Sequence, residues 1–424
     1  MNGLSSTKKL PYRVYITRQV QLISLVVVTN LIFIVLLSPS TVEAQQTTFD
    51  HTRRAIALEA SVPSTLENGT DLLNHLGSNQ QAIVRNSAVP VLLPRNNPNV
   101  TVTSDPSSFT ANWEDEGARY SLEGSRLAYA YEALTQPAIA MEHSIRDHAA
   151  ITVQNEGILD VTWNELGVSY LLSLDCTKPK DSRCQSSEAI QRQGDLLDYA
   201  GGGIKNQPLA EPTSEIPHAV TSHRKDFTYD PPGTLVPGSG TGRKDLRVYA
   251  PGIRFPIENG PAYANSQVWN AGGDHGPKGG SQCDHGNYSY PWSDNFCETR
   301  DRSTPMCGSQ KGHQGQDIRP ATCQKDVYKG VAVCGGVISH IGSYSVFLKC
   351  VDGTQYRYLH MSNVAVQQNQ SVKQGTTLGL ISDIFEATPT TIHLHFEIVQ
   401  NISGIGFTHV PPYTSLIDAY QLLP

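Results

Sequence analysis

Ile392-His393-Leu394-His395-Phe396-Glu397-Ile398 alternates polar and apolar residues along its whole length. In an extended chain, residues two apart point to the same face. His393, His395 and Glu397 therefore share one face, and Leu394, Phe396 and Ile398 share the other. The pattern predicts a strand with its apolar face packed on a second sheet and its imidazoles facing a cleft. Two imidazoles and a carboxylate are a ligand set suited to a zinc site that keeps one position open for water.

Working toward the N-terminus, Tyr356-Arg357-Tyr358-Leu359-His360 reads as a second strand ending in histidine, with Tyr356, Tyr358 and His360 expected on a common face. Further back, Gly312-His313-Gln314-Gly315-Gln316-Asp317 supplies a histidine and an aspartate four residues apart with a glycine between them. A loop must bring this pair to the HxH strand if they are to act together. The chain has no HExxH, so the glutamate base of helical zinc proteases is missing, and it has no GxSxG nucleophile elbow. Glu397 is expected either to orient an imidazole or to be a charge at a strand end. His143 and His148 would lie about 140° apart on a helix, which argues against a joint metal site there. His275, His285, His340 and His409 are expected to be bystanders.

In this order and spacing the motifs resemble the lysostaphin/LytM-type zinc metallopeptidases, a family of peptidoglycan endopeptidases. The supporting segments are HQGQDI (313–318), KGVAVCGGVISHIG (329–342), DGTQYRYLHMS (352–362), QSVKQGTTLGLIS (370–382) and TIHLHFEI (391–398). The resemblance implies a mainly β C-terminal domain with an antiparallel metallopeptidase core over residues 246–424. It implies His313, Asp317 and His395 as ligands of Zn2+, with His360 and His393 as catalytic histidines that are not ligands. It implies an enzyme, a zinc endopeptidase whose partner is the peptide part of peptidoglycan. The stretch 383–396 lacks the glycine-rich character usual in that family, and the stretch 270–312 is unusually long with three cysteines. Both departures bear on the shape of the cleft. The competing readings are a non-catalytic envelope protein that binds wall or activates an amidase, and a zinc D,D-carboxypeptidase.

Residues 86–203 read as a small α+β domain. VPVLLP, VTVTS and SRLAYAY are short strand-like runs, and ITVQNEGILDVTWNELGVSYLLSLDC (151–176) is a longer extended passage punctuated by Asn-Glu-Gly and Glu-Leu-Gly. A helix is expected over 187–199, stopped by Gly201-Gly202-Gly203, and a short helix around 53–60 within the polar segment 45–85. Trp163-x-Glu165-x-Gly167-x-x-Tyr170 loosely resembles bacterial envelope domains, and residues 86–203 are expected to bind wall, an envelope protein partner or the chain's own catalytic domain. Residues 204–245 hold six prolines and Pro237-Gly238-Ser239-Gly240-Thr241-Gly242, the composition of a linker. A cleft occluded by this linker or by the 270–312 stretch, with an Asn, Asp or His completing the zinc shell, is a further expectation.

Lys8, Lys9, Arg13 and Arg18 precede an apolar run from Leu22 to Leu37, followed by small residues up to Val42-Glu43-Ala44. This order reads as a secretory signal peptide over 1–44, with an uncleaved anchor as the alternative, and predicts a periplasmic or secreted protein with no further membrane span. Export makes the eight cysteines between Cys176 and Cys350 disulfide partners rather than metal ligands. Cys176 with Cys184 and Cys334 with Cys350 are the expected local pairs. The formal charge of the whole chain is −7. Residues 45–245 hold 16 basic and 25 acidic residues, and residues 246–424 hold 12 and 13, so the acidity belongs to the front half. Neither half is the basic surface that nucleic-acid binding requires.

Overall fold

Glu116-Gly117, Glu156-Gly157 and Leu166-Gly167 take positive φ at both residues (47° and 85°, 46° and 79°, 51° and 78°). Such two-residue turns match the twist of antiparallel strands. They fold residues 108–115 onto 118–125, and 148–155 onto 158–165 onto 168–176. A seven-stranded sheet results, with strand order 101–104, 108–115, 118–125, 168–176, 158–165, 148–155 and 143–145. His143 and His148 therefore sit on the two arms of a hairpin and not on a helix.

The computed structural model describes residues 48–66, 69–95, 99–132, 134, 143–178, 180–203, 226–277 and 279–423. The expected leader, 1–44, and residues 204–225 of the expected linker lie outside them. The described residues form one compact unit. No helix among the described residues is long and apolar enough to cross a membrane.

Alternation along the front strands sorts two faces. Leu122, Leu159, Val161, Trp163, Leu172 and Leu174 enter a core closed by the helices at 78–86 and 187–195 and by the pair of strands 90–94 and 197–202. The opposite face presents Ser121, Glu123, Asp160, Thr162, Ser173 and Asp175, all buried against the C-terminal half. The helix expected over 187–199 stops at Asp195, and Leu197–Gly202 pairs as a strand with Pro90–Pro94. Burial of Leu197, Tyr199 and Ala200 in this sheet outweighs their helix propensity. The helix expected around 53–60 is likewise corrected. Arg54–Ala57 is a strand paired with Leu127–Ala130, because a free backbone edge of the large sheet lies there.

The C-terminal half is built on the strand Leu394–Ile402, buried over all nine residues. It pairs antiparallel with Gln316–Arg319, Gln355–Leu359 and Gly406–Val410. Val346–Cys350 and Gly336–Ile341 extend the sheet beyond Gln355–Leu359. Leu394, Phe396 and Ile398 join the main apolar core, as their alternation requires. That core also holds an aromatic cluster in which Trp292 lies 4.8 Å from Phe227 and 4.7 Å from Tyr420 on the C-terminal helix Tyr413–Gln421 (ring centroids). All eight cysteines are paired: Cys176–Cys184, Cys283–Cys323, Cys297–Cys307 and Cys334–Cys350. The two local pairs expected from sequence are among them. The chain is mainly antiparallel β in both halves, the front half being richer in strand than an even α+β mixture.

Candidate metal centre

Asp317 pairs directly with His395 across the ladder between Gln316–Arg319 and Leu394–Ile402, so their side chains leave the sheet on the same face. His313 lies on the loop just before and reaches back over that face. Gly315 makes this approach possible, because a Cβ there would stand 2.7 Å from His395 Nε2 and 2.7 Å from the Phe396 carbonyl oxygen. His313 Nε2 is 3.0 Å from His395 Nδ1 and 3.4 Å from Asp317 Oδ1, and His395 Nδ1 is 3.0 Å from Asp317 Oδ1. Tetrahedral zinc with bonds of about 2.0–2.1 Å needs its donor atoms about 3.3–3.4 Å apart. The spacing of His313 and Asp317 matches this and the other two fall about 0.3 Å short, so the three atoms lie close to the arrangement a zinc ion requires. They form the one such His/Cys/Asp/Glu group found among the described residues.

The outer nitrogens and oxygen fix which atoms point inward. His313 Nδ1 donates to the Asn295 carbonyl oxygen (3.0 Å), so its Nε2 lone pair faces the centre. Asn295 Nδ2 donates to Asp317 Oδ2 (2.8 Å), and Asn295 Oδ1 accepts from the Asp317 N–H (3.2 Å). His395 Nε2 donates to Glu397 Oε1 (2.9 Å), which turns Nδ1 inward. Glu397 is fully buried and also accepts from His409 Nε2 (3.0 Å). Of the two roles open to it, it takes that of orienting an imidazole.

Asn295 and His409 were not legible as participants. Asn295 lies in the long 270–312 stretch, just before the Cys297–Cys307 bridge, and only its proximity to those cysteines could have drawn attention. Replacing Asn295 by alanine removes the partner of one ligand's second oxygen. Zinc affinity is expected to fall about 10–100-fold, the usual effect of losing an outer hydrogen-bond partner, as read by competition with a chromogenic chelator. The far smaller loss expected of a bystander would refute the assignment.

His360 and His393 stand beside this group. Their ring centroids are 4.5 Å apart, and His360 lies 6.2 Å from His395. His360 Nδ1 donates to the Ile384 carbonyl (2.9 Å) and His393 Nδ1 to the Thr391 carbonyl (2.8 Å), so both present a bare Nε2. His393 Nε2 is 3.5 Å from Asp317 Oδ1. The common face expected for Tyr356, Tyr358 and His360 is corrected. Both tyrosines point into the apolar core beside Phe396, and His360 reaches the opposite face because its φ of 65° breaks the alternation at the strand end.

Burial dominates the protonation pattern. It lowers His360 to about 3, helped by the neighbouring His393, and it also lowers His393 and His313. Burial would lower His395 as well, but hydrogen bonds to Asp317 and Glu397 overcome it and raise the group to about 10. Asp317 and Glu397 are correspondingly held well below the usual carboxylate range despite their burial, the first by His313 and the second by His409. Two anions around one cationic ring mark a place prepared for positive charge.

The expected open cleft is not there. His313, Asp317, His360, His393 and His395 are each no more than 3% exposed. Among the described residues, the turn between strands 148–155 and 158–165 of the front sheet covers His360 and Glu397, and Asn295 of the 270–312 stretch lies against His313 and Asp317. Asn155 Nδ2 donates to Glu397 Oε1, and the Glu156 carboxylate lies 4.0 Å from His360 Nε2. Among the other histidines, His275 lies tilted beside Trp269 and His340 beside Phe347, and neither belongs to the ligand group.

The family model described as peptidase family M23 matches residues 311–405. Among solved structures, a glycyl-glycine endopeptidase LytM described as putative, from Ruminococcus gnavus, is 24% identical over 25% of this chain and 47% of its own, about half its length, with a TM-score of 0.22. The catalytic domain of lysostaphin from Staphylococcus simulans is 24% identical over 26% of this chain and 84% of its own (TM-score 0.22). The catalytic domain of the prophage-encoded M23 protein EnpA from Enterococcus faecalis is 24% identical over 24% and 77% (TM-score 0.19). The segment that the peptidase family M23 model matches carries all five residues of the centre.

Proposed function

We propose that this chain is an exported zinc endopeptidase that hydrolyses peptide cross-links of bacterial peptidoglycan. The observation that carries the reading is the convergence of His313 Nε2, Asp317 Oδ1 and His395 Nδ1 beside two further imidazoles with bare Nε2 atoms. Zinc in a site with three protein ligands supplies Lewis-acid polarisation and lowers the pKa of water to about 7. His360 and His393 supply the proton handling. Each is held by a carbonyl at Nδ1, so each can accept a proton only at Nε2. One takes the proton of the attacking water, and the protonated ring later returns it to the leaving amine. The other, protonated at Nε2 by solvent, donates to the oxyanion that develops on the peptide carbonyl and returns its proton to solvent when the carbonyl re-forms. Glu397 and Asn295 hold their ligands in register and touch no reacting atom. The leader pattern at 1–44 and the four disulfides support a periplasmic or secreted location.

Metal analysis together with mass spectrometry of fragments released from purified walls tests the reading. About one zinc per chain is expected, with new amine termini inside the cross-link peptides, and both should be lost in His313→Ala. Release of a single terminal residue would instead assign a carboxypeptidase. Wall binding without zinc or cleavage would assign a non-catalytic envelope protein.

A further inference from the structure

The turn Gln154–Gly157 is held on the centre by five separate parts of the C-terminal half. Gln314 Nε2 donates to the Gln154 carbonyl (3.0 Å), and Arg302 Nη1 donates to Asn155 Oδ1 (3.0 Å) and pairs with the Glu156 carboxylate. The Tyr344 hydroxyl donates to the Glu156 carbonyl, Asn155 donates to Glu397, and Glu156 faces His360. Arg302 holds the Glu156 carboxylate well below its usual range against the effect of burial, so the group stays ionised at the tip.

The surface beneath the front sheet is polar on both sides. Lys349 meets Glu123 at 3.0 Å, and Arg357 meets Asp160 at 2.6 Å. Apolar packing there is confined to two small clusters, Ile158 with Phe347 and Leu359, and Leu171 with Val399 and Phe407. Each half has its own large core, and Phe49, Tyr129 and Tyr131 of the front half pack into that of the C-terminal half. Charged side chains can be returned to water at little cost where apolar ones cannot, so such an interface is suited to parting.

We infer that the 154–157 turn is a built-in plug, which places a carboxylate against the catalytic histidines and keeps peptides from the metal centre until the front sheet lifts away. This inference rests on the peptidase reading of the site, and it adds how that site is controlled.

Three full-length proteins test it: wild type, Glu156→Asn and Arg302→Ala. Asn-Gly is a favoured pair for this turn, so Glu156→Asn keeps the hairpin and removes the carboxylate. Arg302→Ala removes the same contact from the other side, and thermal unfolding checks that both fold. Each protein is loaded with zinc, and two rates are read: zinc transfer to excess phenanthroline, and release of soluble peptide from purified cell walls. Both rates are expected to rise about tenfold or more in each variant, as one charge-assisted contact is lost from the closed state. Equal rates in all three proteins, with walls cleaved by all, would overturn the plug and leave the peptidase. Faster zinc transfer in the variants with no wall cleavage by any protein would uphold the plug and overturn the peptidase reading.

Discussion

Asparagine in place of Asp317 is expected to lower zinc affinity by at least about 10³-fold, beyond the about 10–100-fold of losing an outer partner. Cleavage should fall at least as far. The substitution keeps the size and planar shape of the side chain and removes the only anionic donor of the three. Oδ1 of Asp317 lies 3.0 Å from His395 Nδ1, 3.4 Å from His313 Nε2 and 3.5 Å from His393 Nε2, so one charge serves three imidazoles. The metal-free chain offers a second readout. His395 there has a pKa of about 10 against an ordinary 6.5; burial opposes this rise, which Asp317 and Glu397 produce. A basic group raised on folding adds stability below its unfolded pKa and loses it as pH climbs to the folded value. Metal-free wild type should therefore lose stability between pH 6.5 and about 10, and Asp317→Asn should flatten that fall. Retained affinity for zinc together with an unchanged pH profile of stability would refute the assignment of Asp317.

The extent to which this site could be read from sequence follows from the range of the interactions involved. Alternation alone placed Leu394, Phe396 and Ile398 in the core and left His395 and Glu397 on the other face, because period-two geometry is a local property of a strand. The same logic failed one strand away. His360 leaves the regular ladder at φ 65°, and nothing in Tyr-Leu-His-Met announces a left-handed residue. Asn295 and the 154–157 turn escaped for a different reason. Their contacts with the centre span separations of 22 residues (Asn295 to Asp317) and 242 residues (Asn155 to Glu397), which no local pattern encodes. The polar face of the front sheet is silent for a third reason. Glu123, Asp160 and Asp175 alternate with apolar residues just as a solvent-facing edge would, and burial against a charged partner surface leaves the same trace in sequence as water does. The helix expected at 187–199 ended early because pairing of 197–202 with 90–94 is likewise a long-range fact.

Arg357→Leu is expected to destabilise the chain by about 3–5 kcal/mol, the usual cost of leaving a buried charge without its partner. Arg357 is fully buried and makes two parallel bonds to Asp160, from Nη1 at 2.6 Å and from Nη2 at 3.1 Å. Its Nε donates to Gln355 Oε1 (2.7 Å), Nη2 reaches Ser173 Oγ (3.3 Å), and the guanidinium lies 4.3 Å from the centre of the Phe347 ring. Nη1 is also 3.8 Å from Glu397 Oε2. One side chain thus balances a carboxylate of the front sheet and the carboxylate that orients His395. Leucine fills much of the volume but leaves Asp160 buried and unpaired, whereas Glu397 keeps His395 and His409. The loss should therefore be repaired mainly at Asp160. Adding Asp160→Leu to Arg357→Leu should recover most of the stability, because an apolar pair of similar size is often as stable as a buried ion pair. Urea unfolding of the four proteins in this cycle measures the coupling directly. Additive losses from the two substitutions would mean that Arg357 acts through packing on Phe347 and not through the charge it neutralises.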